Sequence, residues 1–315
     1  MQASAGKLTA QDYVRAGFVA LIIALVFGIF HFQGNTTDIR MFSRSALVWM
    51  VERWNDTFFS GADYSHGWLI PIASAWLIWR KRGELAAASK SVSAAGLAVV
   101  VFALLLHWLG AKAQQTRVSL MGLALLTWGI PYYLCGRDVA KLLLFPCSFL
   151  VLCIPLNFLD SLTFPLRIFA TVVATGMLNG LGIAVERSGS AIYSVSGSFQ
   201  LDVADPCSGI RSIMAMAALA AVYSHVTQKT LAKQWALFLM AIPIPVIGNI
   251  VRIIVVTMAF QAFGNEAAMR VHDLSGYIVF IVDTLCMIAL GEVLKLDFAE
   301  VRERWKRELL SPISP

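Results

Sequence analysis

The sequence predicts an all-α polytopic membrane protein: about eight transmembrane helices, one further helix that is interfacial or partly inserted, and a short outward-facing β-hairpin. Three observations predict it. Of 315 residues, 58% are hydrophobic and only 14% charged, with a mean hydropathy of +0.71; soluble domains carry about 25% charged residues. The apolar residues gather into runs that can cross about 30 Å of hydrocarbon. The basic residues stand in short clusters between those runs, so the net charge of +6 reads as a topology signal and not as a nucleic-acid surface. The chain is read as a single integral membrane domain over 1–315, with a core at about 15–295 and a basic tail at 295–315.

Taken in order, the apolar runs fall near 15–32, 67–80, 93–110, 118–135, 141–159, 208–226, 234–262 and 275–294. The first follows a polar, weakly basic lead without a small-residue cleavage site, which reads as a retained helix and not a removed signal peptide. The run 234–262 is interrupted by Pro243, Pro245 and Gly248, and broken helices of this kind are tolerated where backbone lines a cavity or packs in protein. Residues 191–203 alternate around Ser196-Gly197, as a two-stranded hairpin would. Five cysteines (135, 147, 153, 207 and 286) include no CxxC pair, and four lie in apolar runs, with Cys207 beside one. This disfavours a disulfide framework or a zinc site.

Sidedness follows from the basic clusters, which mark the cytoplasmic face. They are Arg80-Lys81-Arg82, Arg137 with Lys141, Lys229 with Lys233, and Lys295 onward with Arg302, Arg304, Lys306 and Arg307. Two runs separate the first cluster from the second. Three lie between 137–141 and 229–233, where an even number of crossings is required. The run 163–184, with Pro165, Arg167, Gly176, Asn179, Gly180 and Gly182, is the one expected to lie at the outer interface. The loops 33–65, 111–117, 185–207 and 263–274 then face outward, and the C-terminal tail is cytoplasmic.

Ionisable groups in or beside membrane helices are costly and point to function. Cys207 follows Asp205 and Pro206, which suit a helix cap and first position. A thiol in that first turn meets unpaired N–H groups and the helix dipole, which favour thiolate. Arg211 adds to that field, while Asp202 and Asp205 oppose it. Arg252, in Gly248-Asn249-Ile250-Val251-Arg252-Ile253, sits deep in an apolar run and needs an anionic partner, on the protein or developing on a substrate. His272 lies at the expected start of the last helix, on the same side as Cys207, and imidazole is the side chain suited to serve a thiol as base. Asp273 beside it points elsewhere on a helix. By themselves these residues also suit an inert cysteine, a snorkelling arginine and a solvated histidine. His66, in Asp63-Tyr64-Ser65-His66-Gly67, belongs to a further outward polar cluster. His107, His225 and His31 are read as packing or interface residues.

In chain order these stretches resemble the exosortase/archaeosortase family of membrane cysteine transpeptidases. The matches are Tyr64-Ser65-His66-Gly67 with Leu69-Ile70-Pro71; Phe145-Pro146 and Ile154-Pro155-Leu156; Cys207-Ser208-Gly209-Ile210-Arg211-Ser212; Asn249-Ile250-Val251-Arg252; and His272-Asp273-Leu274-Ser275-Gly276. The combination is specific, although each piece is weak alone. The resemblance implies a catalytic triad on Cys207, Arg252 and His272, with His66, Ser208, Arg211, Asn249 and Asp273 binding substrate or supporting the site. Arg211 stays an alternative to Arg252 as the oxyanion group. The resemblance also implies a bacterial cytoplasmic (inner) membrane location, with the site facing the periplasm or exterior. The substrates it implies are exported proteins with a C-terminal sorting signal: a Pro-Glu-Pro-type motif, a membrane helix and a basic tail. The new C-terminus would pass to a surface acceptor.

No metal site, cofactor or nucleic-acid partner is expected, and nothing resembles a Gly-rich phosphate loop. Two other classes stay open at this level. A transporter or polysaccharide-export component would use the broken helix to line a path, but it predicts polar groups in several helices where Arg252 is almost alone. A non-catalytic assembly factor would hold substrate helices without needing Cys207. A rhomboid-like serine protease is disfavoured by the lack of a GxSxG elbow.

Overall fold

The computed structural model describes residues 10–34, 44–55, 64–156, 158–197, 199–202 and 210–296. Helix dominates them, with one small sheet. Three segments are long and apolar enough to cross a membrane among these residues: Ala94–Lys112, Thr116–Cys135 and the stretch Leu231–Lys295. The chain divides into two compact units, one formed by 1–60 with 64–156, the other by 61–63 with 157–315.

The first unit holds helices α1 (Ala10–Phe32), α2 (Ala46–Asn55), α3 (Leu69–Arg80), α4 (Arg82–Ala87), α5 (Ala94–Lys112), α6 (Thr116–Cys135) and α7 (Arg137–Phe149). Helix α2 lies within 33–65, where the sequence reading had only a loop. Its start is fixed by Ser45, whose hydroxyl accepts the Val48 N–H and meets His31 Nδ1 at 3.0 Å. This is the cap that a serine at that position supplies. Helices α5 and α6 pack closely. His107 is buried between them, with Nδ1 2.7 Å from Ser119 Oγ and its ring against Phe30. The packing role expected for His107 is the one it has. At one end of this pair Ser89 donates to Asp138, and Ser91 and Ser93 N–H groups reach the carbonyls of Cys135 and Tyr133. Ser89 and then Lys141 hold the exposed Asp138 carboxyl below its ordinary range. The loops 80–90 and 137–141 therefore share one end, as the crossing count requires.

The run 141–159 is not one straight helix. Helix α7 stops at Phe149, a 3-10 turn follows at Leu150–Cys153, and Ile154 turns extended ahead of Pro155. The residue before a proline is driven out of helical conformation, and the carbonyls released here are taken by side chains from elsewhere. Trp54 Nε1 donates to Cys153 O at 2.8 Å, and Arg117 Nε donates to Pro155 O at 2.8 Å. Tyr64 Oη accepts the Leu156 N–H at 3.0 Å and donates to its carbonyl at 3.1 Å. Two of the quoted motifs, Tyr64–Gly67 and Ile154–Leu156, thus form one clasp.

The second unit holds α8 (Phe158–Gly180), strands β1 (Val185–Ser188), β2 (Ala191–Ser194) and β3 (Gln200–Asp202), then α9 (Ile210–Thr227), α10 (Leu231–Leu239) and α11 (Pro243–Lys295). The expected hairpin is β2–β3, with Gly197 at φ 71° in its turn. Strand β1 extends it to an antiparallel meander ordered β1-β2-β3, which the weak alternation of 185–188 did not announce. Ile192, Leu201 and Val185 are buried against Ala170, Ala174 and Leu178 of α8 and against Ile250, Ile253 and Phe260 of α11. Phe199 stacks on Phe260 at 5.4 Å. A second cluster joins Met216 and Ala220 of α9 to Leu237, Ala241 and Met287.

Two expectations about 234–274 are corrected. Pro245 and Gly248 do not break the helix: the interruption is the turn at 240–242, and Pro243 begins α11 in the first position, where its missing N–H costs nothing. Residues 263–274 are not a loop. Only Gly264, at φ 76° and ψ −174°, leaves helical geometry, and helix resumes immediately. Arg252 contacts Ser275, and Gly248 faces Asp283, so the two arms of α11, 243–263 and 265–295, run antiparallel around Gly264. His272 accordingly lies two turns inside the second arm and not at its start.

Candidate active site

The site residues that can be placed together all lie on the α11 hairpin. Arg252 is half-buried on the first arm. Its Nε donates to Ser275 Oγ at 3.2 Å, and its Nη2 donates to the His272 carbonyl at 3.1 Å. The same Nη2 lies 3.3 Å from His272 Nε2. Guanidinium can only donate, so Nε2 faces it as an acceptor and the ring proton sits on Nδ1. There Asp273 Oδ1 is 3.2 Å away and receives it. This corrects the expectation that Asp273 would point elsewhere: its short side chain curls back to the neighbouring ring although its carboxylate is largely exposed.

Ser275 completes the arrangement. Its hydroxyl donates to the His272 carbonyl at 2.9 Å while accepting from Arg252, and the residue is buried. One hydroxyl therefore ties the arginine fork to the backbone of the histidine turn. The sequence reading quoted Ser275 without giving it a role; its spacing of three from His272 on a helix was the available signal. Asn249 is buried one turn before Arg252, on the same side of the arm.

The remaining predicted residues are distributed otherwise. Cys207 and Ser208, with Asp205 and Pro206, lie outside the described residues. Arg211 is the second residue of α9, and its side chain is likewise outside them. His66 belongs to the first unit, in the 3-10 turn Ser65–Trp68, with its ring 5.7 Å from that of Tyr64. Cys135, Cys147, Cys153 and Cys286 carry free thiols; Cys147 and Cys153 are buried and bonded to the carbonyls of Thr127 and Leu150.

Beside Arg252 the hairpin opens into an apolar groove of about 460 Å³, running between the arms from Arg252 and Ser275 to Asp283 and Cys286. Asp283 does not stand out in the sequence, where it shares the run 275–294 with Glu292.

Helices long and apolar enough to span a bilayer, and a hairpin that places a guanidinium on an imidazole, describe a helical membrane protein with a polar site inside its apolar part. The family described as transmembrane exosortase matches residues 54–289, about three quarters of the chain, and the protein belongs to it. No curated protein and no solved structure matches the chain.

Proposed function

We propose that this protein is a membrane-embedded cysteine transpeptidase of the exosortase type. In this reading it cleaves the C-terminal sorting signal of exported proteins and transfers the new C-terminus to a cell-surface acceptor. The observation that carries the proposal is the Arg252–His272 pair on the α11 hairpin, in a chain that belongs to this family.

The chemistry assigns a task to each group. Once Arg252 Nη2 turns from His272 Nε2 to the substrate carbonyl, Cys207 gives its proton to that nitrogen, and the thiolate attacks the scissile carbonyl. Arg252 stabilises the oxyanion of the tetrahedral intermediate. The proton then passes from His272 to the departing amine, leaving a thioester on Cys207. An amine, hydroxyl or water loses a proton to His272 and resolves the thioester, which regenerates the thiol. Asp273 accepts from Nδ1 and so keeps the lone pair on Nε2, the role a carboxylate plays beside a catalytic imidazole. Arg211, Ser208, Asn249 and His66 are assigned to substrate contact and support.

The topology belongs to the same proposal. The chain forms a single membrane domain in the inner membrane, with about eight spans and α8 interfacial or partly inserted. The site faces the periplasm, and the C-terminus is cytoplasmic.

The test is processing of a reporter fused to a sorting signal in cells expressing the protein. Cys207→Ala is expected to abolish cleavage while the variant still accumulates in the membrane. Cleavage at the normal rate by that variant would reject the nucleophile and would favour an assembly factor.

A further inference from the structure

The groove of the α11 hairpin holds a group that the reaction above does not use. Asp283 is 3% exposed, lines the groove, and its Oδ2 is closed to solvent with no hydrogen-bond partner among the described residues. The first arm is pared back to admit it: the position a Cβ would take on Gly248 is 2.5 Å from Asp283 Oδ1 and 2.8 Å from Val279 Cγ1, so a larger residue there would displace the carboxyl. A carboxyl group in an apolar membrane environment is costly unless something donates to it.

The walls of the groove show what shape would bring a donor. Ile247, Val251 and Val255 form an exposed ridge along the first arm, and Leu274, Ile278 and Val282 form another along the second. Each ridge follows an i, i+4 row, and a seam between two such rows is the surface into which another helix packs. One end of the seam is Arg252 and Ser275, where the attacked carbonyl lies in the proposed reaction. The other end is Asp283.

Resting on that reading, we propose that the groove seats the membrane helix of the sorting signal and that Asp283 selects helices carrying a hydrogen-bond donor at a set depth. Ser275 and Asp283 are eight residues apart on one arm. At 1.5 Å per residue this is about 12 Å, so the donor belongs about eight residues beyond the scissile bond. Asp283 is a specificity residue that touches the substrate helix and not the reacting atoms.

The experiment uses the full-length protein in membranes. The probe is a reporter ending in a Pro-Glu-Pro motif, a 20-residue Leu/Ala helix and an arginine tail, with one threonine moved stepwise through the helix. The unaltered protein is expected to process the probe best with threonine about eight positions past the cut, by about three- to tenfold, as expected for one hydrogen bond within a membrane. Asp283→Leu is expected to erase that preference, so that every threonine position is processed alike. In a Cys207→Ala background, which reads binding without turnover, a photocrosslinker replacing Val282 is expected to capture the probe helix. Indifference of the unaltered protein to threonine position overturns the proposal, even if Asp283→Leu does not fold. So does a preference that survives Asp283→Leu, or a crosslink that captures only lipid or a second copy of the chain. Continued cleavage by the Cys207→Ala protein would sink the catalytic reading separately, because the crosslink still reports what occupies the groove.

Discussion

Arg252 is fixed by three contacts from the opposite arm, so its fork geometry matters as well as its charge. Arg252→Lys keeps the charge but cannot span Ser275 and the His272 carbonyl together. Processing is expected to fall on the order of 10²–10³-fold, the usual cost of one oxyanion donor, measured as the initial cleavage rate of the reporter. Ser275→Ala removes the hydroxyl that orients the guanidinium without touching the reacting atoms. It is expected to lower turnover by about tenfold, the worth of one buried hydrogen bond, with the substrate concentration for half-maximal rate unchanged. A wild-type rate in that variant would show that the arginine holds its place without the serine. At this scale the sequence was informative where cost is visible: an arginine inside one apolar run and a histidine at the edge of the next both stood out. Ser275 and Asp283 did not: the spacing of three from His272 puts Ser275 on the histidine's face, but which residues of the other arm meet Ser275 and Asp283 is encoded by no spacing within one segment.

The element that carries the site is the α11 hairpin, and its reversal depends on Gly264. The conformation there, φ 76° and ψ −174°, is open essentially to glycine only and costs other residues about 1–3 kcal/mol. Gly264→Ala is expected to lower the thermal unfolding midpoint of the detergent-solubilised protein and to reduce processing with it; an unchanged midpoint would mean the strain is absorbed elsewhere. The sequence reading treated 263–274 as a loop for an understandable reason. Asn265, Glu266 and Arg270 are polar and exposed there, and Glu266 pairs with Arg270 across one turn at 2.7 Å. A helix that extends past the apolar layer carries the composition of a loop. The prolines misled in the opposite direction: Pro243 opens a helix, and Pro245 lies in its first turn, where no intrahelical donor is lost. The β2–β3 hairpin was legible because alternation and a turn glycine occur together, whereas β1 has a turn glycine, Gly189, but no such alternation.

On the scale of the whole molecule, membrane character could be read from composition, since 14% charged residues cannot cover a soluble surface of this size, and helical class from the length of the apolar runs. The number of crossings is harder to read, because runs such as 67–80 and 141–159 fold into helices of 12 and 13 residues with 3-10 turns attached. The proposed topology makes its own prediction. In a background without other reactive thiols, Ser89→Cys is expected to react with an impermeant maleimide only from the cytoplasmic side, and Ser196→Cys only from the periplasmic side. Labelling of both from one side would overturn the crossing count. The central claim, that Cys207 is the nucleophile served by the Arg252–His272 pair, is tested most directly by mass. Purified protein is mixed with a sorting-signal peptide, quenched in acid and digested. The account predicts an adduct equal to the N-terminal cleavage fragment, joined as a thioester to the peptide containing Cys207 and absent in His272→Ala. Cleavage of the peptide with no adduct on Cys207, or undiminished cleavage by Cys207→Ala, would contradict it.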